Sequence, residues 1–134
     1  METWYRRFLR WISSLIFLGT TAELLLISHV ESTIQLIPFG LCALGLGMAI
    51  WVHYLQSETA VLWTRRSMVL ICIGSIYGIY EHFRHNLELE LEIRPNADWT
   101  AVIGEAFTGA SPMLASAILA VAAILLFASL KKGV

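Results

Sequence analysis

Residues 77–95, "YGIYEHFRHNLELELEIRP", decide how the whole chain is read. The stretch opens as the end of an apolar run and turns to Glu and His. It then alternates Glu with Leu or Ile until Pro95. Alternation with period two over 86–93 is ordinarily the mark of a half-buried strand. A lone strand leaves its backbone edges unpaired, and nothing else in the sequence reads as its partner, so only strands paired across subunits would support it. Read as helix, Glu81, His85, Glu88 and Glu92 fall at i, i+4, i+7 and i+11, within a stripe about 60° wide. Carried backwards, that stripe meets Gly74 and Gly78. The expectation is therefore one long helix running to Arg94, stopped by the pre-proline position and Pro95.

Working outward, the apolar part of this helix, about 64–86, is one of four runs of spanning length. The others lie at about 10–30, 34–55 and 112–130. A hydrocarbon core of about 30 Å needs about 20 such residues. The sequence is 57% hydrophobic and 14% charged, against roughly 25% charged in ordinary soluble domains. That balance excludes both a disordered chain and a soluble domain with a polar surface. A formal net charge of −1 offers no basic face for nucleic acid. The N-terminal run reads as a retained span, because Glu23 interrupts it and no A-x-A-like cleavage site follows. Cys42 and Cys72 sit at different expected depths and outside any C-x-x-C pair, so both read as small core residues.

The expected fold is all-α integral membrane, one domain over 1–134. It is a four-transmembrane-helix up-down bundle with an extracytoplasmic amphipathic helix between spans three and four. Arg6, Arg7, Arg10, Arg65, Arg66, Lys131 and Lys132 share one side of such a bundle. The other side holds Arg84 and Arg94 against Glu31, Glu81, Glu88, Glu90, Glu92, Asp98 and Glu105. The positive-inside rule then places both termini in the cytoplasm of a plasma membrane, of the bacterial inner-membrane type. Trp4, Trp11, Trp51, Tyr54 and Trp63 gather at the cytoplasmic ends, as interfacial aromatics do. Gly74 and Gly78 on span three, Ala43 and Gly47 on span two, and Ser116 and Ala120 on span four read as close-packing positions.

In the outer segment, about 87–111, Trp99, Val102, Ile103, Ala106 and Phe107 have the spacing of one apolar helix face. Asn96 or Asp98 would cap that helix, Gly109 would end it, and Ser111-Pro112 would start span four.

Two sets of side chains carry chemistry. Glu23 lies roughly 10 Å below the outer end of span one, at about 1.5 Å of rise per residue. An ionisable group at that depth costs on the order of 3 kcal/mol, so an inward aspect with a partner or a proton is expected. Glu81 has a similar expected depth, and two neighbouring carboxyls would share a proton, which is a proton or cation site. Glu81, His82, His85 and Glu88 form the second set, arranged as ligands for a divalent transition metal on successive helical turns. Haem is less well supported, since the four histidines do not form facing pairs at one depth; His29 with His82 or His85 is the arrangement left. No Ser-His-Asp set, phosphate loop or HExxH occurs, so enzymatic activity is not expected.

Two functions follow. One is a proton-coupled carrier or metal-cation binder with an outward-facing acidic and His cluster. The other is an accessory or scaffold subunit whose outer acidic segment docks a partner, in a homo-oligomer or a membrane complex. In size, number of spans and a carboxylate in the first span, Glu23, the chain resembles small four-helix multidrug carriers. The long outer segment departs from them, and no substrate is carried over.

Overall fold

The computed structural model describes residues 2–28, 30, 32–109 and 113–130. His29, Glu31, Ser111, Pro112, Lys131 and Lys132, each given a role above, lie outside the described residues. Among the described residues five α-helices follow one another: α1 Glu2–Leu26, α2 Ile37–Tyr54, α3 Glu58–Ile93, α4 Trp99–Thr108 and α5 Met113–Ala128. A single 3-10 turn, Ile34–Leu36, leads into α2. Among the described residues there is no strand.

Residues 86–93 are helical, and α3 runs unbroken for 36 residues. Its start lies six residues earlier than the expected span. Ser57 is the reason: its hydroxyl accepts from the Ala60 amide at 3.2 Å, and Glu58 in the first turn meets the positive end of the helix dipole. At the far end the Arg94 amide still donates to the Glu90 carbonyl at 2.9 Å. Pro95 cannot continue the ladder. Helix α1 ends where Ser28 takes a left-handed conformation, φ 54°, and Pro38 sits in the first turn of α2, where its missing amide costs nothing.

Helix α1 packs against α2 and α5, and α3 packs against the same two from the opposite corner, with α4 laid on α3. Each of the four sides carries one tight approach. A Cβ on Gly45 would run into the Phe17 ring, joining α2 to α1. One on Gly74 would meet Leu41 at 2.6 Å, joining α3 to α2. One on Gly78 would meet the Ser116 hydroxyl at 2.7 Å, joining α3 to α5. The fourth side is a hydrogen bond from Ser13 of α1 to the Ala122 carbonyl of α5, 2.7 Å long and buried. Small residues permit such backbone approach where no water drives association. Gly74 and Gly78 pack as expected, but Ala43 and Gly47 do not. Both are exposed, and a Cβ on Gly47 would meet nothing within 4 Å. The contact on α2 falls to Gly45 instead.

The centre holds Phe17, Met68, Ile71, Leu126, Val52 and Cys42. Outside it, Leu15, Leu18, Leu25, Ile50, Val69, Ile73, Ile76, Ile118 and Ile124 all remain exposed. A monomer in water rarely leaves so much contiguous apolar surface uncovered; hydrocarbon covers it without cost. Three helices, α1, α2 with its leading turn, and α3, are long and apolar enough to cross a membrane. A fourth crossing arises if α4 and α5 count as one bent span. The protein is thus an all-α chain built for insertion into a bilayer.

Candidate functional site

At the end of the helix cluster where α3 approaches its acidic tip, the start of α2, the second half of α3 and the start of α5 do not close on one another. They leave a groove of about 320 Å³. Its apolar side is formed by Ile37, Pro38, Leu41 and Leu119, and its polar side by Glu81, His82, Arg84 and His85, with Ser75, Ser116 and Gln35 between them. The close contacts of Gly74 with Leu41 and of Gly78 with Ser116 form its floor, since both glycines line it. Further closure is blocked there because backbone already meets side chain.

The polar side is ordered by one cation. Arg84 donates to the Glu81 carboxylate at 2.9 Å and to Glu88 at 2.8 Å. It thereby bridges both acids from the middle of the turn between them. The Tyr77 hydroxyl is a second partner of Glu81. All of these groups are at least partly exposed. The spacing Glu81-x-x-Arg84-x-x-x-Glu88 is the signal in the sequence from which this bridge, missing from the reading above, could be found.

The structure distributes the sequence-predicted residues unevenly. Glu81, His82 and His85 all line the groove, whereas Glu88 is exposed outside it and tied back to Arg84. Among the described residues no three His, Cys, Asp or Glu side chains gather as a metal-holding group. The expected ligand set Glu81, His82, His85 and Glu88 is therefore not assembled at one point, because Arg84 occupies the position between the two carboxylates.

Glu23 requires a correction as well. It was expected to face inward, with a partner or a proton. The buried face of α1 is instead Arg10, Ser13, Phe17, Thr20 and Leu24, spaced three and four residues apart, with Leu9 beside Arg10. Glu23 and Gly19 share an exposed face. With α1 and α3 at opposite corners, Glu23 does not line the groove that contains Glu81.

Helix α4 shields one flank of α3 beside the groove. Asp98 caps it, accepting from the Thr100 amide at 3.3 Å; Asn96 does not take that role. The apolar face expected on α4 is divided. Val102 and Ala106 are buried on α3, whereas Trp99 and Ile103 stay exposed. Phe107, also exposed, lays its ring 4.8 Å from that of Phe83. The residue that fixes α4 is Asn86, which sequence reasoning passed over. It is 1% exposed and its amide donates to the Ala106 carbonyl at 3.0 Å. A Cβ on Gly109 would come within 2.7 Å of Asn86, so this glycine serves close approach. Beyond it, Arg94 ties the tip of α3 to itself through Glu90 and faces Glu105 of α4 at 3.9 Å.

The chain matches no family model, no characterised protein and no solved structure. Its class, a helical membrane protein with a groove at one end, rests on the fold alone.

Proposed function

We propose that the chain is a plasma-membrane protein of four antiparallel spans with both termini in the cytoplasm. In this reading it binds a small amphipathic molecule in the groove between α2, α3 and α5, which opens to the outer side. The observation that carries the reading is the groove's composition. One wall is aliphatic and the other presents Glu81, Arg84 and His85. Its 320 Å³ falls within the range of about 300–1,000 Å³ usual for small-molecule sites. Glu81 accepts and Arg84 donates, so a head group carrying both a donor and an acceptor engages the pair by replacing their mutual bond. The aliphatic body then lies along Ile37, Leu41 and Leu119.

Orientation draws on the arginines and on the exposed Trp4, Trp11, Tyr54 and Trp63 at the opposite end, an interfacial belt on the positive side. Proton-coupled carriage, the other use of such a site, draws on Glu81 without Glu23.

The test is a panel of eight-carbon amphiphiles with cationic, anionic, zwitterionic and neutral polar heads, titrated against the protein in lipid nanodiscs. The zwitterionic member is expected to bind best. Glu81→Gln should weaken it, as should Ile37→Trp at the groove's apolar side. Equal binding of all four heads, unchanged in both variants, would overturn the reading.

A second reading keeps the scaffold role. It is favoured by the exposed Glu88 and Glu92 on the outward extension of α3, a rigid acidic edge suited to a basic partner. Changing both to Gln would then lose a co-purifying protein while leaving amphiphile binding intact.

A further inference from the structure

At the end opposite the groove, α1 buries a charge. Arg10 is only 8% exposed, and it lies on the same inward seam as Ser13, Phe17 and Thr20. Its Nε is the one buried side-chain nitrogen or oxygen among the described residues that has no hydrogen-bond partner. A guanidinium taken out of water with a donor unmatched is destabilising unless an acceptor offsets the lost hydration.

Among the described residues the cavities beside Arg10 hold no such acceptor of opposite charge. Arg10 lines two small cavities, one on each side of it. The first, about 110 Å³, is shared with Arg6, Arg7, Thr3 and Gln56 over a floor of Val52 and Val61. The second, about 130 Å³, is shared with Trp11, Ser14, His53 and Tyr54. Among the described residues no carboxylate lines either cavity. Arg6 and Arg7 lie close enough for their charges to act on Arg10. Arg6 is also held in place by the Ser129 and Leu130 carbonyls at the end of α5. Concentrated positive charge around a recess suits a tetrahedral oxyanion, which guanidinium groups engage as two-pronged donors.

We propose that Arg10, flanked by Arg6 and Arg7, forms a binding site for a phosphate group. The phosphate is either that of an anionic lipid head or a free phosphate ion. Trp11, His53 and Tyr54 place the site at headgroup depth. The Trp11 and His53 rings meet edge to face at 5.8 Å beside Arg10, an amphipathic collar of the kind found where membrane meets water. A site of this kind reads leaflet charge through a residue inside the helix packing, so binding and helix assembly are linked.

The experiment is a set of thermal-shift titrations of the full chain in neutral detergent, with three probes: dioctanoyl phosphatidylglycerol, dioctanoylglycerol without a phosphate, and inorganic phosphate. If the source is lipid, phosphatidylglycerol binds at least about tenfold more tightly than dioctanoylglycerol, and Arg10→Gln abolishes the difference. If the source is soluble, inorganic phosphate shows saturable stabilisation that Arg10→Gln removes, and phosphatidylglycerol gains nothing over dioctanoylglycerol. Arg66→Gln, which removes a charge stacked on Trp63 outside both cavities, should leave all three titrations unchanged. Should Arg10→Gln fail to fold, the exposed Arg7→Gln decides: a several-fold loss for a phosphate-bearing probe supports the site, and no loss overturns it. Failure of both phosphate-bearing probes to outperform dioctanoylglycerol on the native chain also overturns it.

Discussion

The side-chain amide of Asn86 donates to the backbone carbonyl of Ala106 across 3.0 Å, and both residues are sealed from solvent. This bond joins the α4 segment to the long α3 helix. It lies one turn beyond Glu81 and His82, so α4 is anchored to the same helix that carries the groove's polar side.

Replacing Asn86 by Leu leaves the Ala106 carbonyl buried without its donor and puts branched bulk against Gly109. A cost of about 1–3 kcal/mol is expected. Hydrogen exchange of amides 99–108 should accelerate sharply while that of α1 and α2 is unchanged. Uniform protection across the variant would show that α4 is held by its apolar residues alone.

Gly78→Val should separate α3 from α5, because the first atom of any side chain already meets Ser116 at 2.7 Å. Overpacking of this kind costs about 1–3 kcal/mol. Gly47→Val, at a position open to the outside, should have little effect. Comparing the two melting temperatures in detergent checks the assignment, and equal losses would contradict it.

Arg84→Gln should free Glu81 and Glu88 without much effect on melting, since exposed ion pairs contribute little. The consequence falls on cation binding. With the bridge removed, Glu81, His85 and Glu88 lie on successive turns of one face with no cation between them. Mass-spectrometric metal analysis after zinc loading should find more zinc in Arg84→Gln than in the native chain, and Glu81→Ala in the same background should reverse the gain.

The tip of α3 gives a pH expectation. Arg94 is held above the ordinary arginine value, first by its hydrogen bond to Glu90, then by the charges of Glu90 and Glu105. A cation raised in the folded state contributes fully below the ordinary arginine value and loses that contribution only as pH climbs through the raised one. The Trp99 indole resonance should therefore stay fixed between pH 7 and 10. In Arg94→Gln it should already be displaced at pH 7.

The long helix was legible because two signals converged: Pro95 marked its end, and the Glu-His stripe fitted a helical period better than any unpaired strand. The groove was half legible. Glu81, His82 and His85 stood out as ionisable groups near a membrane edge. Arg84 was counted for the charge balance of the outer side and not as the partner of the acids three and four residues away. Glu23 was misplaced for a different reason. A helix in lipid shows no contrast between apolar inside and polar outside, so Gly19 and Thr20 could not say which way their neighbour faced. The seam through Arg10, Ser13, Phe17, Thr20 and Leu24 alternates steps of three and four. It would have given the inward face, and with it the buried arginine. Asn86 was hidden because nothing in a single sequence marks which polar residue of a helix will be covered by a later segment.

The continuity of α3 has a mechanical meaning. Thirty-six residues make a rod about 54 Å long, well beyond the roughly 30 Å that hydrocarbon covers. Helices answer a change in bilayer thickness by tilting. Pivoted at its middle, a rod of that length swings its tip by about 5 Å for about 10° of tilt. Helix α4 is fastened to that tip, so it travels with it. The acidic end of α3 is in effect a pointer, and the thickness of a membrane the rod crosses sets its reading.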